Sequence, residues 1–146
     1  IEIFAAILGV GAVVCSGILA DRLGRRYVLS MTAAGIAIFS GFAPQLLNGG
    51  VAGEFAFMVL GFILLGLAFG QSSGAVASNF ASSRRYTGSA LTSDLAWLFG
   101  AGFAPLVALL LATEFGLAAA GGYLLSGALA TLIALRLNKE LANRLG

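Results

Sequence analysis

Long apolar runs, separated by short groups of polar and charged residues, make up most of this chain. The runs lack the strict alternation of apolar and polar positions that marks the strands of a membrane barrel. A helix of about 20 apolar residues is long enough to cross the roughly 30 Å hydrocarbon core of a membrane. The pattern therefore predicts five membrane-spanning helices, which we expect over residues 3–19, 28–47, 55–78, 88–112 and 117–135.

The composition also indicates an integral membrane protein. Of the 146 residues, 60% are hydrophobic and only 10% are charged, whereas soluble domains carry roughly 25% charged residues. Only helices and closed barrels span lipid, because every backbone polar group must be hydrogen-bonded internally there. We therefore expect an all-α membrane protein. Because the chain opens with Ile1 almost inside an apolar run, and five spans leave its ends on opposite sides, we expect further helices upstream.

The basic residues predict how the helices are oriented. All 8 follow the first, third or fifth predicted span, and the two loops on the other side carry only Glu54 and Glu114. Lys and Arg near helix ends favour the cytoplasmic side, so the N-terminus should lie outside and the C-terminus inside. The pI near 9.1 then reflects topology and not nucleic-acid binding. The basic residues are Arg22, Arg25, Arg26, Arg84, Arg85, Arg136, Lys139 and Arg144.

The chain offers no residues for common enzyme or metal chemistry. It contains no histidine and one cysteine, which removes the usual zinc sites, and no Walker A sequence is present to bind nucleotide. Residues 70–74 match the G-x-S-x-G nucleophile pattern, but they lie in an apolar helix pattern and have no histidine base. We expect neither catalysis nor a cofactor, and any energy for activity should come from an ion gradient.

Asp94 is the one ionisable residue that lies deep within a predicted span. An acid near the membrane centre costs about 2.5–3.5 kcal/mol on insertion scales, so such residues face protein or water. By helix rise, Gln71 and Ser72 should lie near its level, and Trp97 should share its face. Asp94 is then a candidate proton site, with the others as weaker cavity candidates. The alternatives are a hydrogen bond that fixes helix packing and, for Trp97, an ordinary packing aromatic.

Small residues recur at four-residue spacing in two spans, which lets helix backbones approach closely in lipid. We expect tight helix contacts along both stripes. Pro105 should remove a backbone hydrogen bond and kink the fourth span, whereas Pro44, near a span end, should stop the second. The stripes consist of Gly66, Gly70, Gly74 and Ser78 in span three and of Ala96, Gly100, Ala104, Ala108 and Ala112 in span four.

A dense group of charges, Asp-Arg-Leu-Gly-Arg-Arg-Tyr at residues 21–27, separates the first two apolar runs. Together with the preceding Gly-Ile-Leu-Ala, it resembles the G-x-L-x-D-R-x-G-R-R loop signature of the major facilitator superfamily. The alternative is an ordinary positive loop, which the spacing of the two glycines disfavours. The signature residues are Gly17, Asp21, Arg22, Gly24, Arg25 and Arg26.

A second segment resembles a subgroup of that superfamily. Residues 85–91 and 100–106 resemble the region of the tenth and eleventh helices in metabolite:proton symporters, such as alpha-ketoglutarate, shikimate and proline-betaine permeases. The residues of interest in this second cytoplasmic loop are Arg84, Arg85, Tyr86 and Gly88. Residues 79–84 depart from that group, which usually has a Phe-Pro pair and another basic residue there. The resemblance implies that this chain is the last five helices of a twelve-helix fold in a bacterial inner membrane.

The resemblance implies secondary active transport by alternating access, in which two halves rock around a central site. Gly17 would permit close helix approach, Asp21 would face a helix N-terminus of the missing first half, and Arg25 or Arg26 would pair with acids. The leading hypothesis is a proton-coupled symporter of an organic acid or zwitterion. The alternatives are an exporter of drugs or amphipathic compounds and a membrane scaffold or enzyme subunit without transport activity.

Overall fold

The computed structural model describes residues 2–138. Within these residues the chain is helical and contains no strand. The interruption in the fourth span is a short π-helical segment, Trp97–Ala101. The α-helices are α1 (Glu2–Leu23), α2 (Arg25–Leu47), α3 (Gly50–Ala77), α4 (Arg85–Ala96), α5 (Ala104–Phe115) and α6 (Leu117–Leu137).

Five helical units in the described part are long and apolar enough to cross a membrane. They are α1, α2, α3, the interrupted unit Arg85–Phe115 and α6. The expected all-helical membrane fold is therefore confirmed. The helices begin or end several residues beyond most of the apolar runs, because hydropathy marks the part of a helix that suits lipid, whereas polar residues can continue the same helix beyond it.

The gap between the first two apolar runs suggested that residues 21–27 form a loop, but most of them are helical. α1 continues to Leu23, α2 begins at Arg25, and Gly24 alone separates them. Gly24 has φ 87° and ψ 139°, a conformation essentially restricted to glycine. The chain reverses at this residue without a longer connection, which brings the basic residues at the start of α2 beside the end of α3.

α1 and α3 run parallel and pack along small residues. A side-chain carbon at Gly70 would lie 2.9 Å from Ser16 Oγ and 3.0 Å from the Val13 carbonyl oxygen, and Gly66 faces Ala12 in the same way. The two backbones can approach this closely because glycine has no side chain. The tight contact predicted for the span-three stripe is therefore confirmed.

α2 lies between α3 and α6 and runs antiparallel to α6. Leu29, Ala75 and Leu135 form a buried cluster that joins the start of α2 to the ends of α3 and α6. All the basic residues between positions 2 and 138 therefore lie at one end of the bundle, and Lys139 and Arg144 are outside the described residues. Pro44 lies inside α2 and does not stop it at that point.

The fourth span packs less tightly than the others. Neither α4 nor α5 contains a buried residue, and the π-helical segment directly follows α4 and is separated by two residues from α5, whose first turn holds Pro105. This interruption agrees with the predicted kink, since proline cannot donate the backbone hydrogen bond that continues a helix. The tight contact predicted for the span-four stripe is not found at Gly100, where an added side-chain carbon would meet no non-local atom of the described chain within 4 Å.

Candidate functional site

A chain of three hydrogen bonds connects the charged group to the interior of the bundle. Arg25 Nε donates to Gln71 Oε1 at 3.2 Å, and Gln71 Nε2 donates to Ser16 Oγ at 3.0 Å. Ser16 Oγ donates in turn to the Leu67 carbonyl oxygen at 2.9 Å. These hydrogen bonds join α2, α3 and α1, so polar contacts as well as packing hold one end of the bundle together.

The small residues of α3 make room for this network. Ser16 is fully buried and Gln71 is 3% exposed, so both polar groups need partners in the protein, and each has two. The Arg25 guanidinium lies over Gly74, where a side-chain carbon would come within 2.6 Å of Arg25 Cζ. A larger residue at Gly74 would displace the guanidinium from Gln71.

The other signature residues differ in their surroundings. Asp21 and Arg22 are exposed and Arg26 is partly buried. The Asp21 side chain has no ion-pair or hydrogen-bond partner within residues 2–138. A side chain at Gly17 would have open space around it, so the close approach expected there is not made to any described helix.

The second basic segment lies at the start of α4. Arg84, Arg85 and Tyr86 are exposed, whereas Gly88 faces the ring of Phe80. A side-chain carbon at Gly88 would lie 2.6 Å from Phe80 Cε1. Gly88 therefore allows the turn after α3 to fold back against α4, while the side chains of both arginines remain exposed.

A cavity of about 590 Å³ lies between α3 and the fourth span. Its wall is mostly apolar, with hydroxyl groups from both sides and no charged side chain. Ser72 Oγ and Thr92 Oγ1 donate to carbonyl oxygens of their own helices, so they can accept further hydrogen bonds. The lining residues are Leu65, Phe69, Ser72, Ser73, Val76, Thr92, Ser93, Ala96, Trp97, Gly100, Ala104 and Pro105.

The structure separates the residues that the sequence grouped around Asp94. Ser72 and Trp97 line the cavity, and Trp97 packs edge-on against Phe69 with ring centroids 6.3 Å apart. Gln71 faces the opposite side of α3, toward Ser16 and Arg25. Asp94 is exposed, does not line this cavity, and has no side-chain partner within the described residues.

Sequence reasoning missed Ser16 and the hydroxyls of Ser73, Thr92 and Ser93. Ser16 continues a stripe of small residues, because all the buried residues of α1 lie at spacings of three or four. That periodicity was available in the sequence and could have identified Ser16 as a buried polar group. The cavity hydroxyls carry no such signal, since serine and threonine are common on many helix faces. The buried residues of α1 are Ala5, Gly9, Ala12 and Ser16.

The chain is similar to parts of proteins that are named as transport proteins. It is 40% identical to the inner membrane metabolite transport protein YhjE of Escherichia coli over 138 residues, which covers 92% of this chain and 31% of that protein. Two Haemophilus influenzae proteins, each named "Putative metabolite transport protein", are 35% identical to it over 99% and 88% of the chain. These relatives are named as transport proteins and not as enzymes, which agrees with the resemblance seen in the sequence.

The chain spans about a third of the length of these curated relatives. No protein-family model matches it, and no solved structure matches it significantly. Within residues 2–138 no group of three or more His, Cys, Asp or Glu side chains could hold a metal ion. Among the described residues, the polar network and the cavity are the features on which a functional proposal can be based.

Proposed function

We propose that the whole protein is a secondary active transporter of a small metabolite. This chain is related to about a third of a bacterial metabolite transport protein. The observation that carries the proposal is the 35–40% identity to such proteins over most of the chain. The metabolite is an organic acid or a zwitterion, and protons drive its uptake by alternating access. The chain forms the last five helices of a twelve-helix major facilitator fold, with its C-terminus in the cytoplasm.

The signature residues supply the cytoplasmic latch in this proposal. The reversal at Gly24 presents Asp21 and Arg22 as exposed charges at one end of the bundle. An exposed carboxylate without a partner in the described chain is free to face the positive N-terminal end of a helix in the other half. Such a contact would close the cytoplasmic side in one state and break in the other.

The cavity between α3 and the fourth span supplies part of the substrate site. Ligand sites are typically apolar pockets in which a few polar groups fix orientation. Here Ser72, Ser73 and Ser93 offer hydroxyls beside the aromatic rings of Phe69 and Trp97. With no charged residue in the lining, any charge on the substrate would be recognised by helices outside this chain.

Asp94 remains the candidate proton site. Its side chain is exposed on the described helices, and an acid facing hydrocarbon would be costly. We therefore propose that Asp94 faces the other half of the transporter, where it can be reached by water in one state. Adjacent residues on a helix project about 100° apart, so Asp94 and the cavity-lining Ser93 face neighbouring sectors.

Uptake by the full-length protein in proteoliposomes tests this function. Under an imposed proton gradient, labelled dicarboxylates, shikimate-like acids and betaines are screened with wild type and with Asp94→Asn. We expect gradient-driven uptake of one class, lost in Asp94→Asn while exchange of substrate persists. The matched control is Glu114→Gln, which changes an exposed acid at the C-terminal end of the fourth span. Proton coupling that survives in Asp94→Asn would remove Asp94 from the mechanism.

The largely apolar cavity favours a second function, export of amphipathic compounds. An exporter needs a pocket that binds by apolar contact, and the aromatic and aliphatic lining meets that requirement. The same proteoliposomes distinguish the two functions. Gradient-driven movement of a fluorescent amphipathic cation, together with no uptake of the acids and betaines, would support export.

A further inference from the structure

We infer that Gln71 is a positioning residue for the charged group: it fixes the orientation of the Arg25 guanidinium without neutralising its charge. Arg25 begins α2, directly after the reversal at Gly24, and its side chain could adopt many rotamers at that exposed position. The hydrogen bond to Gln71 Oε1 and the contact of the guanidinium with Gly74 select one of these rotamers.

The polarity of the hydrogen-bond chain determines which atom Gln71 presents to Arg25. The Leu67 carbonyl can only accept, so the Ser16 hydroxyl donates to it. The lone pairs of Ser16 Oγ then accept from the Gln71 amide nitrogen, which leaves the amide oxygen directed toward Arg25. Because Ser16 and Gln71 are both buried, water does not compete for the bond between them, and this bond maintains the orientation of the amide.

The Gln71 amide is neutral, and we infer that this neutrality is as important as the hydrogen bond itself. A guanidinium has five N–H donors, and the bond from Arg25 to Gln71 uses one of them. A carboxylate at the same position would form an ion pair with Arg25 and satisfy its charge within this half of the protein. The amide holds the side chain and leaves the charge available. This part of the inference rests on the proposed transporter function. In that transporter, the Arg25 charge would bind an anionic partner that must associate and dissociate during each cycle.

A double-mutant cycle on thermal unfolding tests the positioning role in the full-length protein, purified in detergent. The variants are Gln71→Leu, Arg25→Ala and the combination of both. We expect Gln71→Leu to lower the unfolding temperature clearly less when Arg25 is already alanine, because the lost hydrogen bond is shared. Gln45→Leu, an exposed glutamine of α2, is the matched control and should show no coupling to Arg25→Ala. Additive shifts for Gln71 and Arg25 would overturn the inference.

Transport kinetics of Gln71→Glu test the role of neutrality. We expect an unfolding temperature above that of Gln71→Leu, because the new carboxylate pairs with Arg25, although it can no longer donate to Ser16 Oγ. The maximal uptake rate should fall about tenfold with an unchanged KM, since a charge-assisted bond now opposes release. Gln45→Glu should leave both quantities unchanged. Wild-type uptake by Gln71→Glu, or a loss of stability as large as that of Gln71→Leu, would overturn this part.

The unfolding and uptake measurements distinguish a failure of this inference from a failure of the proposed function. If wild-type protein transports none of the labelled compounds, the proposed function fails, and the double-mutant cycle still decides whether Gln71 positions Arg25. If wild type transports but the unfolding shifts are additive, the function stands and the positioning role is rejected.

Discussion

The contact between α1 and α3 and the fourth span have similar small-residue patterns but very different surroundings. In the first region, Gly66 and Gly70 lie against the backbone and small side chains of α1. In the second, Gly100 has open space around it, and α4 and α5 contain no buried residue. The same spacing of glycine and alanine therefore accompanies close packing in one helix and an open cavity in the other.

Small-residue spacing thus permits a close approach but does not choose the partner. Close packing in lipid depends on complementary shapes, because no hydrophobic force drives helices together there. α1 supplies a complementary stripe that ends at Ser16, whereas no described helix supplies one for Gly100. In the transporter we propose, the rest of the protein would cover the exposed face of the fourth span.

The largest effect is expected for Gly66→Leu. A side-chain carbon there would lie 3.0 Å from Ala12 Cβ and closer still to the Gly9 carbonyl oxygen, so the helices must separate. Overpacking of this kind costs about 1–3 kcal/mol, and more where backbone has to move. Thermal unfolding of the full-length protein in detergent should show a large loss for Gly66→Leu and little change for Gly11→Leu, which faces open space. A loss for Gly66→Leu no larger than that for Gly11→Leu would contradict the close contact between α1 and α3.

Gly24→Ala should have the next largest effect, because alanine is strained at φ 87°. A residue held in such a region costs about 1–3 kcal/mol. The control is Gly17→Ala, in the last turns of the same α1 helix, where a side chain meets nothing within 4 Å. That variant should be neutral or more stable by roughly 0.5–1 kcal/mol, since alanine favours a helix. Denaturation of both variants measures the difference, and equal stabilities would contradict the assigned backbone conformation.

The effect of Gly74→Ala on stability should change sign when Arg25 is replaced by alanine. With Arg25 present, the new methyl group displaces the guanidinium and weakens its bond to Gln71, a loss of about 1 kcal/mol. In an Arg25→Ala background the methyl group meets no guanidinium, and alanine should then stabilise α3 by about 0.5–1 kcal/mol. Unfolding temperatures of the four proteins check this expectation. A loss of the same size in both backgrounds would show that Gly74 contacts something other than Arg25.

Trp97→Ala tests whether the fourth span contributes to the substrate site. Trp97 contacts Phe69 across the cavity, and aromatic pairs contribute about 0.5–1.5 kcal/mol beyond the area they bury. We expect a stability loss of about that size, together with a higher KM for the transported compound. The control is Phe115→Ala, an exposed aromatic at the end of α5, which should leave KM unchanged. An unchanged KM for Trp97→Ala would remove it from the substrate site.

The smallest effect on stability is expected for Asp21→Asn. The Asp21 carboxylate is exposed and has no partner within residues 2–138, so its loss should leave the unfolding temperature unchanged. Transport by the full-length protein should slow if Asp21 belongs to the latch. Initial uptake rates at matched protein abundance measure this. Unchanged uptake would remove Asp21 from the proposed mechanism.

Much of the fold could be predicted because lipid imposes strong rules on sequence. Runs of about 20 apolar residues identified the spans, and Pro105 indicated the interruption of the fourth. The helix ends were less well predicted: α1 continues to Leu23 and α2 passes through Pro44, since charged residues and a late proline do not by themselves end a helix. The candidate site was predicted only in part, because helix rise gives depth but not the direction of each side chain.

Local composition was enough to establish the all-helical membrane class, the number of spans and the position of the charged signature. The pairing of the polar residues depended instead on how the helices pack against one another. Packing placed Gln71 with Ser16 and Arg25, although depth alone grouped Gln71 with Asp94. The reason is rotational: neighbouring residues on a helix differ by about 100° in direction, so Gln71 and Ser72 share a depth but face different partners.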